Sequence, residues 1–177
     1  GFTLLELLIV ISIIGILASI TIVSYPSVVK KAKLANAIKF SDNVRGSLQP
    51  DMVAWWKFDE TVGNIAKDTW WSELHGTVYG ATWVEGIKGN ALSFDGVNDY
   101  VNVGTIGTVS IWNPDVKQTT ITAWFNPASS GRRTIIFSDN CMEVGMTVES
   151  NEKVCGWAYT TVCTPTAITM NDWHFGV

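Results

Sequence analysis

The sequence predicts an α+β chain, one long N-terminal α-helix followed by an antiparallel β-sandwich. Residues 1–25, GFTLLELLIVISIIGILASITIVSY, carry no charge from Leu7 to Val23. From Met52 onward, short β-branched and aromatic runs alternate with Gly, Asn and Asp, and no helical pattern intervenes. All nine Trp lie between Trp55 and Trp173, so the second part holds enough aromatic surface to bury a core.

The helix is expected over residues 2–46, because Leu, Ile and Ala dominate and the first turn cluster is Gly46-Ser47. At 1.5 Å per residue it would be about 65 Å long. Gly15 and Pro26 are its weak points. Pro26 removes a hydrogen bond to Ile22, which leaves two outcomes open: a simple kink with intact helix on either side, or a melted turn. Beyond Pro26 the pattern is amphipathic, with Val28, Ala32, Ala35 and Ile38 at helical spacing. Residues 47–51 read as a linker that Pro50 keeps from continuing the helix, and residues 52–177 as the β domain.

Charge is divided unevenly. Residues 1–50 hold five Lys or Arg and two acids, a net of +3; the remainder holds seven against 14, a net of −7. The acidic second part argues against nucleic-acid binding, since phosphate neutralisation needs Lys and Arg. Lys30, Lys31 and Lys33 follow the apolar run instead of preceding it, which disfavours a cleavable secretory signal. Counted from Phe2 to Val23 the run is long enough to cross a bilayer, and Glu6 is a costly acid within it.

GFTLLELLIVISIIGILASI closely resembles the N-terminus of type IV pilins and the related pseudopilins. The resemblance implies cleavage by a prepilin peptidase between Gly1 and Phe2 and methylation of the new N-terminal Phe2. It assigns Glu6, the fifth residue after the cut, to assembly: its carboxylate would meet the N-terminal amine of an adjacent subunit. It also implies an inner-membrane stage, then an extracellular filament of identical subunits built by the pilus machinery. Many pilins carry their proline three residues earlier than Pro26, which would shift or lengthen any opened segment here.

A second resemblance covers residues 52–177. VAWWKFDET, KDTW, LHGTVYGATWVEGIKGNALSFDGVNDYVNV, TTITAWFNP and NDWHFGV are similar, in order, to the laminin-G-like, concanavalin A-type jelly roll of bacterial surface proteins. In that family further strands follow the Trp-His motif, here Trp173-His174, so the sandwich reads as incomplete at Val177. A truncated chain, a neighbouring subunit or a second polypeptide would each account for that.

Within this domain Asp95 and Asp99 in an acidic turn, with Asp59 and Asp68 in nearby motifs, are candidate oxygen ligands for a structural Ca²⁺; ordinary turn chemistry is the competing reading. Cys141 and Cys163 are symmetric about Glu152, and a Ser150–Lys153 turn would bring them within disulfide reach. Cys155 would then be free, since on one strand it would stand about 26 Å from Cys163. Three reduced thiols are the alternative. Trp70, Trp71 and Trp112 are candidates for stacking on sugars, though most Trp in a sandwich are core. His75 and His174 stand in no zinc, nucleophile or phosphate-loop pattern, so no enzyme is expected.

The sequence therefore reads as a type IV pilus or pilus-like subunit whose β domain serves adhesion or surface recognition of a glycan or protein. A pseudopilin of a type II-like secretion system and a membrane-anchored carbohydrate-binding module are the alternatives.

Overall fold

A computed structural model describes residues 1, 3–71, 73–104, 120–137, 145–158 and 160–177; for residues 20–26, 157, 158 and 160 it describes the backbone alone. The chain divides into two units, Gly1–Gly46 and Ser47–Val177.

The first unit is helical, its helix α1 running over Leu4–Leu48. Its assignment is unbroken past Gly15 and Pro26, so the melted-turn alternative is not found. The helix also passes Gly46 and ends two residues later; the expected linker is a 3₁₀ turn, Gln49–Asp51, with Pro50 in its first positions. Proline is at home there, because the first helical N–H groups have no intrahelical acceptor anyway. The expected stripe is corrected too. Val28, Ala32 and Ala35 are exposed, and the less exposed positions are Val29, Leu34, Ala37, Ile38, Ser41, Asp42, Val44 and Leu48.

The second unit is built from antiparallel strands, as the period-two runs require. β1 (Ile65–Ala66), β2 (Gly76–Tyr79) and β5 (Tyr100–Asn102) make one sheet in that order. β3 (Thr82–Glu85) pairs with β4 (Asn90–Ser93), and β6 (Ala123–Phe125) with β11 (His174–Gly176). The largest sheet has the order β10-β9-β8-β7, from β7 (Arg133–Phe137), β8 (Gly145–Val148), β9 (Val154–Ala158) and β10 (Thr160–Cys163). Gly80 divides the expected run GTVYGATWV into β2 and β3: its φ of 79° is a left-handed conformation that residues with a Cβ adopt at a cost. MVAWWKFD, expected as a strand, contributes a single bridge, Trp56 to Asp68.

Core side chains come from the strands: Ala66, Val78, Met146, Val148 and Cys155 are buried. β8, flanked on both sides by strands, is buried along all four residues. Its buried Thr147 hydroxyl donates to Glu149 Oε1 at 2.8 Å, which offsets the cost of taking that group out of water. Gly176 lies on Met146 so closely that a Cβ there would meet its sulfur at 2.7 Å, which brings the β6–β11 ribbon against β8.

Candidate functional sites

Glu6 sits where the first helical turn begins. Its Oε2 accepts hydrogen bonds from Thr3 N and from Thr3 Oγ1, each at 2.8 Å, while Glu6 N donates back to Thr3 Oγ1 at 3.3 Å. Thr3-Leu4-Leu5-Glu6 is thus a capping box, in which the cap threonine and the third helical residue satisfy each other's orphan N–H groups. Beyond it the helix is apolar on every side. The large aliphatic residues from Leu4 to Leu17 are 45–83% exposed, a surface that water does not tolerate over this length. Among the described residues no helix is long and apolar enough to cross a membrane; the run Phe2–Val23 includes Phe2 and residues 20–23, whose side chains are not described. Lys30, Lys31 and Lys33 follow it, all exposed.

The acidic turn of the β unit is self-contained. Asp95 Oδ1 accepts from Val97 N at 2.8 Å and from Asn98 N at 3.4 Å, and Asp95 N donates to Asp99 Oδ2 at 2.9 Å. Asp59 lies on a different turn, where its Oδ1 accepts from Asn90 N at 3.2 Å and its carbonyl from Asn90 Nδ2 at 3.1 Å. Asp59, Asp95 and Asp99 are therefore not gathered into one set. Among the described residues no three His, Cys, Asp or Glu side chains are placed to hold a metal ion. Two glycines with positive φ make room for these carboxylates: a Cβ on Gly89 would run into Asp59, and one on Gly80 into Asp99. Gly89→Ala is accordingly expected to lower the unfolding free energy by about 1–3 kcal/mol, from the left-handed backbone and the displaced carboxylate. Chemical denaturation followed by Trp fluorescence would measure it.

Asp68 is the most engaged acid of the described chain. It is buried, and its Oδ1 accepts from Trp55 N at 2.8 Å and Trp70 N at 2.9 Å, its Oδ2 from Leu74 N at 3.3 Å. Its own N–H donates to His75 Nδ1 at 3.2 Å. Thr69 N reaches Trp55 O at 2.9 Å, and Trp56 Nε1 reaches Leu74 O at 2.6 Å. These bonds tie residues 55–56 to residues 68–75, so Asp68 acts as a staple between two irregular segments. His75 is held by this knot, and His174 Nε2 faces Thr169 O at 2.8 Å. Both imidazoles have backbone partners. Trp70 is half-buried and Trp71 is 83% exposed; Trp112 lies outside the described residues.

The cysteine pairing differs from the expected one. Cys155 is bonded to Cys163, with their Cα atoms 4.0 Å apart. The expectation put both on one strand, whereas the chain reverses between Ala158 and Thr160 and sets them directly opposite each other in β9 and β10. Cys141 lies outside the described residues. The Ser150–Lys153 turn does form, with Glu152 at a φ of 63° and Glu149 N donating to Lys153 O at 2.9 Å, and it joins β8 to β9. Non-reducing peptide mapping should return a Cys155–Cys163 cross-link. The paired Cys155→Ser, Cys163→Ser variant should lose about 2–3 kcal/mol, the closure entropy of so short a loop.

Residues 1–22 match the prokaryotic N-terminal methylation motif. The chain is also 28% identical over 130 residues to a probable minor fimbrial protein of Dichelobacter nodosus, a match covering 73% of this chain and 72% of the relative. A fimbrial protein of Moraxella nonliquefaciens is 44% identical over 48 residues, 27% of this chain and 31% of that protein. Among solved structures, an S-layer domain-containing protein of Clostridium thermocellum (residues 221–444) is similar at 28% identity with a TM-score of 0.52. That likeness covers 68% of this chain and 60% of the other. Motif and fimbrial relatives together support a subunit related to type IV pili, and neither fimbrial relative is named as an enzyme.

Two features of the site were legible in the sequence without being read. The Thr-x-x-Glu spacing at residues 3–6 is the signature of a capping box. The run from Cys155 to Cys163, nine residues with Gly156 inside it, is enough for two short strands and a tight turn as well as for one long strand. The staple at Asp68 carries no such local signal, because its partners come from residues on both sides of a long irregular segment.

Proposed function

We propose that this chain is a structural subunit of a type IV pilus or pilus-like extracellular filament, not an enzyme. Its α1 helix would polymerise with identical subunits, and its second unit, read as a laminin-G-like sandwich, would be displayed for adhesion or surface recognition. One observation carries this most: the motif at residues 1–22 heads a helix whose apolar residues stand exposed from Leu4 to Leu17. Such a surface needs a bilayer before assembly and neighbouring helices after it. The similarity to a probable minor fimbrial protein runs over 130 residues, more than the 45-residue helix can supply, which extends the fimbrial reading into the β unit. The likeness to a domain of an S-layer domain-containing protein favours display at a cell surface.

On this reading prepilin peptidase cuts between Gly1 and Phe2, and Glu6 pairs with the amine of the next subunit. Calcium on the Asp95–Asp99 turn and a glycan at the exposed Trp71 belong to the same proposal. A pseudopilin would share the helix and differ in filament length. Electron microscopy of sheared cell-surface material, with this chain identified in the filaments by mass spectrometry, tests the reading. Micrometre filaments containing the chain support it; its absence from every surface fibre, with the protein retained in the membrane fraction, refutes it.

A further inference from the structure

We infer that Lys30, Lys31 and Lys33 form a collar that binds anionic phospholipid headgroups while the subunit resides in the membrane. The inference rests on the membrane stage of the filament reading above, and adds a partner that stage does not require.

Placement comes first. The apolar run ends at Val23, and Lys30, the first charge after Glu6, lies seven residues further along the same unbroken helix, about 10 Å beyond it. The headgroup layer begins at the hydrocarbon edge and is about 5–8 Å deep on each side. Lysine stems can fold back along the helix to set their ammonium groups in that layer. Distribution around the helix is the second argument. At about 100° per residue, Lys31 stands about 100° to one side of Lys30 and Lys33 about 60° to the other. Three exposed cations thus span an arc of about 160° within about 4.5 Å of helix length. Lys30 and Lys33 are one i,i+3 pair, and Lys31 widens it beyond the stripe, about 100° wide, that a helix lays on a protein partner. A band across the axis fits a plane of charge. Sequence adds a third argument: residues 27–38 hold these three cations and no acid, whereas Arg45 further along has Asp42 beside it at 3.3 Å.

The acidic second unit of a neighbouring copy is the competing partner, and one experiment separates the two. The full chain is reconstituted into vesicles of POPC alone and of POPC with POPG at 7:3. Flotation confirms insertion, and the acylation rate of each lysine by an amine-reactive ester is followed by peptide mass spectrometry. Lys30, Lys31 and Lys33 are expected to react about fivefold more slowly, or slower still, in the POPG vesicles at low salt, since each basic residue near an anionic surface gains that order of binding. The difference should vanish at 0.5 M NaCl as the screening length falls to about 4 Å, while Lys153 in the β unit stays unchanged. Equal rates in both vesicles would overturn the collar and leave the membrane stage standing. Slowing in POPC that grows with subunit density would overturn it in favour of a second copy. Failure to float with either vesicle would remove the membrane stage itself, and the collar with it.

Discussion

Glu6→Val is expected to leave the protein in the membrane fraction and to cut filament yield at least tenfold. The structure sharpens what this substitution removes. Valine takes away the acceptor for Thr3 N and Thr3 Oγ1, so the helix start loses its capping box along with its charge. A cap is worth about 1 kcal/mol. A helix of 45 residues with its apolar run in a bilayer would not unravel for that amount, but its first turn would fray.

Glu6→Gln separates the two roles. Glutamine serves at the third helical position of a capping box nearly as well as glutamate, and it keeps an acceptor for Thr3. It cannot form an ion pair with a neighbour's amine. If the negative charge guides assembly, Glu6→Gln should be as poor in filaments as Glu6→Val, while amide exchange at residues 3–7 stays slow. If the cap is what matters, Glu6→Gln should assemble normally and only the valine variant should fail. Quantifying sheared filaments from both variants, with membrane-resident subunit as the internal reference, reads the outcome. Normal yield from Glu6→Val would refute the assembly role altogether.

The helix and the strand-rich second unit were legible because each has its own period in the sequence. The run Leu7–Val23 has no charge to interrupt it, and pairs such as Trp83 with Leu92 follow from alternation inside short runs bounded by Gly. What was misread turned on where the chain reverses. VCGWAYTTVC looks like one strand because Val154, Trp157, Tyr159, Thr160, Thr161 and Val162 are types that favour extended backbone. The reversal between β9 and β10 is set by pairing across the sheet, which β-propensity does not register. VAWWKFD fails as a strand for a related reason. Its backbone groups bond to residues 68–74 through a carboxylate and a single bridge, an arrangement that local pattern cannot announce.

Asp68 therefore gives the largest stability effect expected in the β unit. Asp68→Ala would leave the N–H groups of Trp55, Trp70 and Leu74 without their acceptor. Hydrogen bonds to a charged group contribute about 1.5–3 kcal/mol each, and a buried donor left unpaired costs about 1–3. Partial exposure of the site lets water replace some of them, so the expected loss is about 3–5 kcal/mol. For a unit spanning Ser47–Val177 that corresponds to a fall in Tm of roughly 10–20 °C. Asp68→Asn keeps one oxygen, able to serve Trp55 N and Trp70 N, but turns an NH₂ toward Leu74 N, and should lose about half as much. Near-UV circular dichroism in a heating series, carried by the Trp55–Trp71 cluster, would follow both variants. Asp68→Ala melting within a few degrees of the parent would mean that the two segments are held by the Trp56–Leu74 bond and side-chain packing instead. The graded order alanine, asparagine, aspartate is the signature of the carboxylate, since loss of packing volume alone would leave asparagine close to the parent.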